Sequence, residues 1–184
     1  MRGYVGLMST APPTSVQSRL QAQRVLAFAV ISALPVFAVV LVLVLGLEDY
    51  PSPVVAGVLF LLNLLAFGVA EMIGYRTPAI APGAEPSRAL DEGLVAMQQT
   101  MILRFAITEA PAILALAWAF VEGTAWVYLV SGFWALLSMV WHVWPSRRIA
   151  TKLERSLDRE GGRSGLVAAL SGSTGPSTPG YQQF

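Results

Sequence analysis

The sequence predicts an all-α integral membrane protein, a four-helix bundle made of two helical hairpins, with short amphipathic helices outside the membrane. Three observations carry this expectation. Of 184 residues, 55% are hydrophobic and only 12% charged, too few charges to cover a soluble domain of this length. The apolar residues come in long blocks, each of a length that crosses ~30 Å of hydrocarbon at ~1.5 Å per residue. The turns after the first and third blocks hold Glu48, Asp49 and Glu122 but no Lys or Arg. By the positive-inside rule they face away from the cytoplasm, and both termini and the central loop lie within it.

Residues 1–24 form a polar cytoplasmic segment. It has no apolar core between a basic start and a small-residue cleavage site, so no cleaved signal peptide is read. Met8 is an alternative translation start. Thr14 or Ser15 is placed to cap a short helix carrying Val16 and Leu20. The transmembrane region covers 25–144. Its first span is about 25–47, interrupted by Pro35, which membrane helices tolerate where neighbours satisfy the freed carbonyl. The second span is about 53–75, with Pro53 suited to a first turn. Residues 76–100 form a loop and then an amphipathic helix capped by Ser87, with Leu90, Leu94, Met97 and Met101 at helical spacing. The third span is about 101–121 and the fourth about 125–144. Trp126 and Tyr128 stand near one end of the fourth, Trp141 and Trp144 near the other, as interfacial aromatics do. A basic amphipathic helix covers 145–160, with Ile149, Leu153 and Leu157 among Lys152, Arg155 and Arg159. The Gly, Ser and Pro content of 161–184 predicts a disordered tail.

Phe28–Pro35 resembles Phe105–Pro111 with one residue inserted. Aligning Arg76 with Arg147 sets Glu71 opposite His142. Two readings stand: a diverged parallel repeat, or the chance resemblance that apolar helices show to one another.

Ionisable groups inside a membrane are functional candidates, since each costs ~2.5–3.5 kcal/mol at the bilayer centre. Glu71, Arg104 and His142 fall in one layer near the cytoplasmic ends of their spans, with Glu109 ~7–8 Å deeper by helical rise. As a structural clamp, Arg104 pairs with Glu71 to lock two helices, and Glu109 bonds a carbonyl that Pro111 frees. As a proton site, Glu109 exchanges a proton and Arg104 tunes it. Asn63 reads as a helix–helix hydrogen bond. Arg147, Arg148, Lys152 and Arg155 determine topology and suit anionic lipid headgroups. One histidine and two separated glutamates, without HxxxH or ExxH spacing, predict no metal. The absence of cysteine excludes disulfides and thiolate metal sites.

Glu109–Leu116 is similar to the proton-carrying helix of rotary ATP synthase ring subunits, which would imply a proton-exchanging carboxylate at Glu109. The glycine-rich first helix of that family is missing, and Glu109 opens its hairpin instead of ending it, so the chain is not assigned there.

No P-loop, GxSxG or HExxH motif is present, and net charge is +1. The expectation is a non-enzymatic protein without cofactor or nucleic-acid partner. It sits in a bacterial plasma membrane, an association drawn from Arg far outnumbering Lys. It serves there as an accessory or scaffold subunit of a membrane complex, its Leu and Met faces offered to a membrane-protein partner or to a second copy. The alternative is an oligomeric small transporter or proton-coupled channel using the glutamates. A reporter fused at Gly123 is expected to read as non-cytoplasmic. A cytoplasmic reading there would overturn the topology.

Overall fold

The computed structural model describes residues 16–171, which contain six α-helices and no strand. They are α1 (Val16–Leu45), α2 (Pro53–Ile73), α3 (Pro86–Glu122), α4 (Trp126–His142), α5 (Arg147–Leu157) and α6 (Leu166–Leu170). Three of them, α1, α2 and α3, are long and apolar enough to cross a membrane. α4 has 17 residues, and α5 continues from it after a 61° bend.

Both amphipathic segments expected before spans one and three merge into the helices that follow. α3 runs for 37 residues, or ~55 Å at helical rise, so about half of it extends beyond a hydrocarbon core. Its cap differs from the expected Ser87. Glu85 is the N-cap and Pro86 the first helical residue. The Glu85 carboxylate accepts from the Ser87 hydroxyl and from the backbone N–H groups of Ser87 and Arg88. Those bonds, the hydroxyl's foremost, hold its carboxyl below the usual glutamate range. A carboxylate serves the exposed N–H groups better than the hydroxyl two residues on. The expected cap at Thr14 or Ser15 lies outside the described residues.

Packing is uneven. α3 and α4 approach closely along small buried residues, Ala112, Ala115 and Ala119 facing Ala125, Ser131 and Ala135. α2 packs on both, and α1 packs on α4 and α3 but scarcely on α2. Only the second of the two expected hairpins is thus closely paired. α1 carries Leu, Val and Phe where α3 has alanine, so its backbone stands further off. Its outer side leaves Val36, Phe37, Val39, Val40, Leu43 and Val44 exposed.

The two short turns lie together. Thr124 donates to the Asp49 carbonyl at 2.6 Å, Trp126 Nε1 to the Leu47 carbonyl at 3.1 Å, and Tyr50 stacks on Trp126. Gly123 closes α3 at φ 72°, a conformation that side chains with a Cβ rarely adopt.

At the opposite, basic end a second core forms. Leu20, Ile80, Leu94, Met97, Ile149, Leu153, Leu157 and Leu166 are buried together. This corrects two expectations. The Leu and Met face of α3 and the apolar stripe of α5 are not left for a partner or for lipid; the bend after α4 lays α5 back on α3, and the two faces cover each other. The tail is also ordered to Ser171, because α6 seats Leu166 against Gly93, where an added Cβ would lie 3.1 Å from the leucine Cγ. Loop 74–85 is tied into the same cap by Ile80 N–H donating to the Leu157 carbonyl at 2.8 Å. Residues 172–184 lie outside the described residues.

Leu153 has no exposed surface. Leu153→Ala is expected to cost about 2–5 kcal/mol and to make the α5–α6 segment protease-sensitive before the long helices melt. Limited proteolysis with mass readout along a thermal ramp checks both.

Candidate functional site

α2, α3 and α4 each bring polar residues to the basic end. α2 terminates at Gly74, whose N–H bonds the Ala70 carbonyl. The last carbonyls of a helix lack intrahelical donors and sit at the negative end of its dipole. Arg104 of α3 enters here. Its Nη1 donates to the Gly74 carbonyl at 3.0 Å, and its guanidinium lies 4.5 Å from the Tyr75 ring centre. The residue is 1% exposed. A cation so desolvated needs compensation, and here the helix terminus and the aromatic face supply it.

The expected Arg104–Glu71 pair does not form. Glu71, half-buried one turn before the end of α2, bonds Arg148 at 3.2 Å and Lys152, both of α5. The cause is the 61° bend, which turns the basic face of α5 toward α2. Arg148 also lies 4.2 Å from the Trp141 ring centre and donates to its carbonyl. Burial, and then the Arg155 charge, push the Lys152 ammonium below the usual lysine range. Two of the four residues read as facing lipid headgroups are therefore turned inward. Arg147 and Arg155 stay exposed.

His142 is fully buried. Its Nδ1 is hydrogen-bonded to the Tyr75 hydroxyl at 2.9 Å and lies 3.8 Å from Glu71 Oε2. Phe67 meets the imidazole edge-on at 4.6 Å. Tyr75 thus joins the layer: its hydroxyl faces His142, and Lys152 Nζ lies 4.7 Å from its ring centre. Sequence reasoning missed Tyr75. The available signal was its place at the end of the second apolar span, level with Arg104. An added Cβ on Gly74 would fall 2.5 Å from Arg104 Cγ, so the glycine lets the arginine stem cross.

Glu109 does not join this layer. It is half-buried on α3, with no hydrogen bond or ion pair among the described residues. The carbonyl bond expected of it is absent there. Midway along α2, Asn63 Nδ2 donates to the Leu59 carbonyl and to Ser131 Oγ, both at 2.9 Å, and Ser131 donates to the Pro111 carbonyl at 3.0 Å. This relay links α2, α4 and α3.

The arrangement holds charge in place. No protein-family model, curated protein or solved structure matches the chain.

Gly74→Ala and Glu71→Gln separate the two halves of the layer. Overpacking against Arg104 is expected to cost about 1–3 kcal/mol. The partly exposed Glu71 pairs are worth at most about 1 kcal/mol. Thermal unfolding in mild detergent should therefore show the larger drop in Tm for Gly74→Ala. The reverse order would put the weight on the carboxylate.

Proposed function

We propose that this chain is a small non-enzymatic integral membrane protein, a scaffold subunit of a bacterial plasma-membrane complex. It crosses the bilayer four times as a four-helix bundle, with α4 as the short fourth span and both termini in the cytoplasm. The clasp between the two acidic turns supports this topology, since it sets the ends of α1 and α3 at one level. The bend after α4 supports it too, because it begins where Trp141 and Trp144 mark an interface.

The observation that carries the scaffold reading is the use to which the intramembrane charges are put. Arg104 closes the end of α2, and Glu71 fastens α5, so both serve packing. One apolar surface open to a partner is the outer side of α1 over its second half, around Val36–Val44. Arg147 and Arg155 remain available to anionic lipid at the cytoplasmic face.

A second reading, an oligomeric proton-coupled channel or transporter, is favoured by one observation: Glu109 is half-buried and has no bonding partner among the described residues. Purification of the tagged protein in mild detergent, with native mass and identification of what co-purifies, separates the two. The scaffold reading expects a stoichiometric larger membrane partner, and no difference in proton flux between native and Glu109→Gln liposomes. A pure homo-oligomer whose proton flux vanishes with Glu109→Gln would replace it by the second.

A further inference from the structure

A groove of about 630 Å³ opens between α2 and α4. Its wall is aromatic, with Phe60 and Phe67 on α2 and Trp134 and Trp141 on α4. Phe60 and Trp134 meet edge-on at 5.3 Å. Three of these rings are 40% exposed or more, so the groove faces sideways, toward lipid in a bilayer. Two polar side chains lie in it, Asn63 and Ser138, each 5% exposed. Both hold a buried oxygen without a hydrogen-bond partner, Asn63 Oδ1 and Ser138 Oγ. Leaving such atoms unsatisfied is costly.

The two oxygens set different demands. Both bonds of the Asn63 amide nitrogen are already used, on Leu59 and Ser131. What remains is an acceptor, which only a donor can satisfy. Ser138 can donate or accept. They also stand at different heights. Asn63 is bonded to Ser131, and Ser138 is seven residues further along α4, ~10 Å by helical rise. A single hydroxyl reaches one of them. A flat ring with an oxygen at each end reaches both while its faces pack on the aromatic wall.

We propose that this groove binds a membrane-dissolved aromatic ring with two para hydroxyls, the hydroquinone class, in its reduced form. The oxidised form presents only acceptors and leaves Asn63 Oδ1 unsatisfied. The proposal concerns binding alone and stands whether or not the chain is a scaffold. It rests only on the groove meeting lipid.

The test uses the full chain in phosphatidylcholine nanodiscs, titrated anaerobically with decylhydroquinone and followed by tryptophan fluorescence and calorimetry. Its dimethyl ether and decylbenzene are the comparison probes. Decylhydroquinone should saturate at one per chain. The ether, having lost both donors, should bind about tenfold more weakly, the equivalent of roughly one hydrogen bond. Ser138→Ala should weaken the hydroquinone about fivefold, within the range of one neutral hydrogen bond. Its Tm should not fall, because the hydroxyl it removes has no partner. Leu64→Trp, which fills the groove from its lipid side, should abolish saturation. Equal binding of all three probes would show a groove for any apolar chain and overturn the proposal. So would an absence of saturation, an unchanged affinity in Ser138→Ala, or a lower Tm for that variant.

Discussion

The structure depends on a buried guanidinium meeting the end of a helix. Arg104 sits in the layer where α2 stops, and its charge is balanced there by the last carbonyl and by the ring of Tyr75. With Arg104 engaged in this way, Glu71 is left to hold α5. Once α5 is held, its apolar face covers that of α3 and the second core closes. The flat, forked guanidinium donates to the carbonyl at its edge while its carbon lies over the ring. The glycine at the end of α2 belongs to the same arrangement, because any side chain there would occupy the path of the arginine stem.

The long helices were legible because their signal is length and apolarity, which few local accidents can imitate. The layer of Glu71, Arg104 and His142 follows from counting residues along those helices, and in the structure Glu71 and His142 do approach, to 3.8 Å. Pairing within the layer was not legible. It depends on the direction α5 takes after His142, a tertiary angle that no periodicity encodes. The same angle explains the misread amphipathic faces. A stripe such as Ile149, Leu153 and Leu157 announces that something will cover it; the covering element, α3, is named only by the fold. The tail was misread because Gly161, Gly162 and Gly165 resemble linker composition. Gly162 instead sits where an added Cβ would meet the Ile80 carbonyl at 2.6 Å, a close approach that composition alone does not distinguish from flexibility.

Small residues order the rest of the packing. Alanines on α3 and α4 bring those helices together, and the relay from Asn63 through Ser131 to the Pro111 carbonyl ties α2 to the same pair. α1, rich in branched and aromatic side chains, takes an outer position on α3 and α4. The division gives the molecule a tightly packed side of three helices and a looser one, and leaves the groove between α2 and α4 edged by rings and by two oxygens that the packing does not use.

The ion pairs at Glu71 also have an order in time. Its partner Lys152 lies 81 residues later in the chain. At ~5–20 residues per second, synthesis reaches that lysine roughly 4–16 s after the glutamate. Through that interval α2 exists without the cations that balance its carboxylate. A glutamate one turn from the helix end can wait at the water boundary; one at mid-depth would have to wait in hydrocarbon. The position of Glu71 therefore suits assembly as well as the finished fold: the α2 carboxylate stays hydrated until α5 arrives and draws it into the layer.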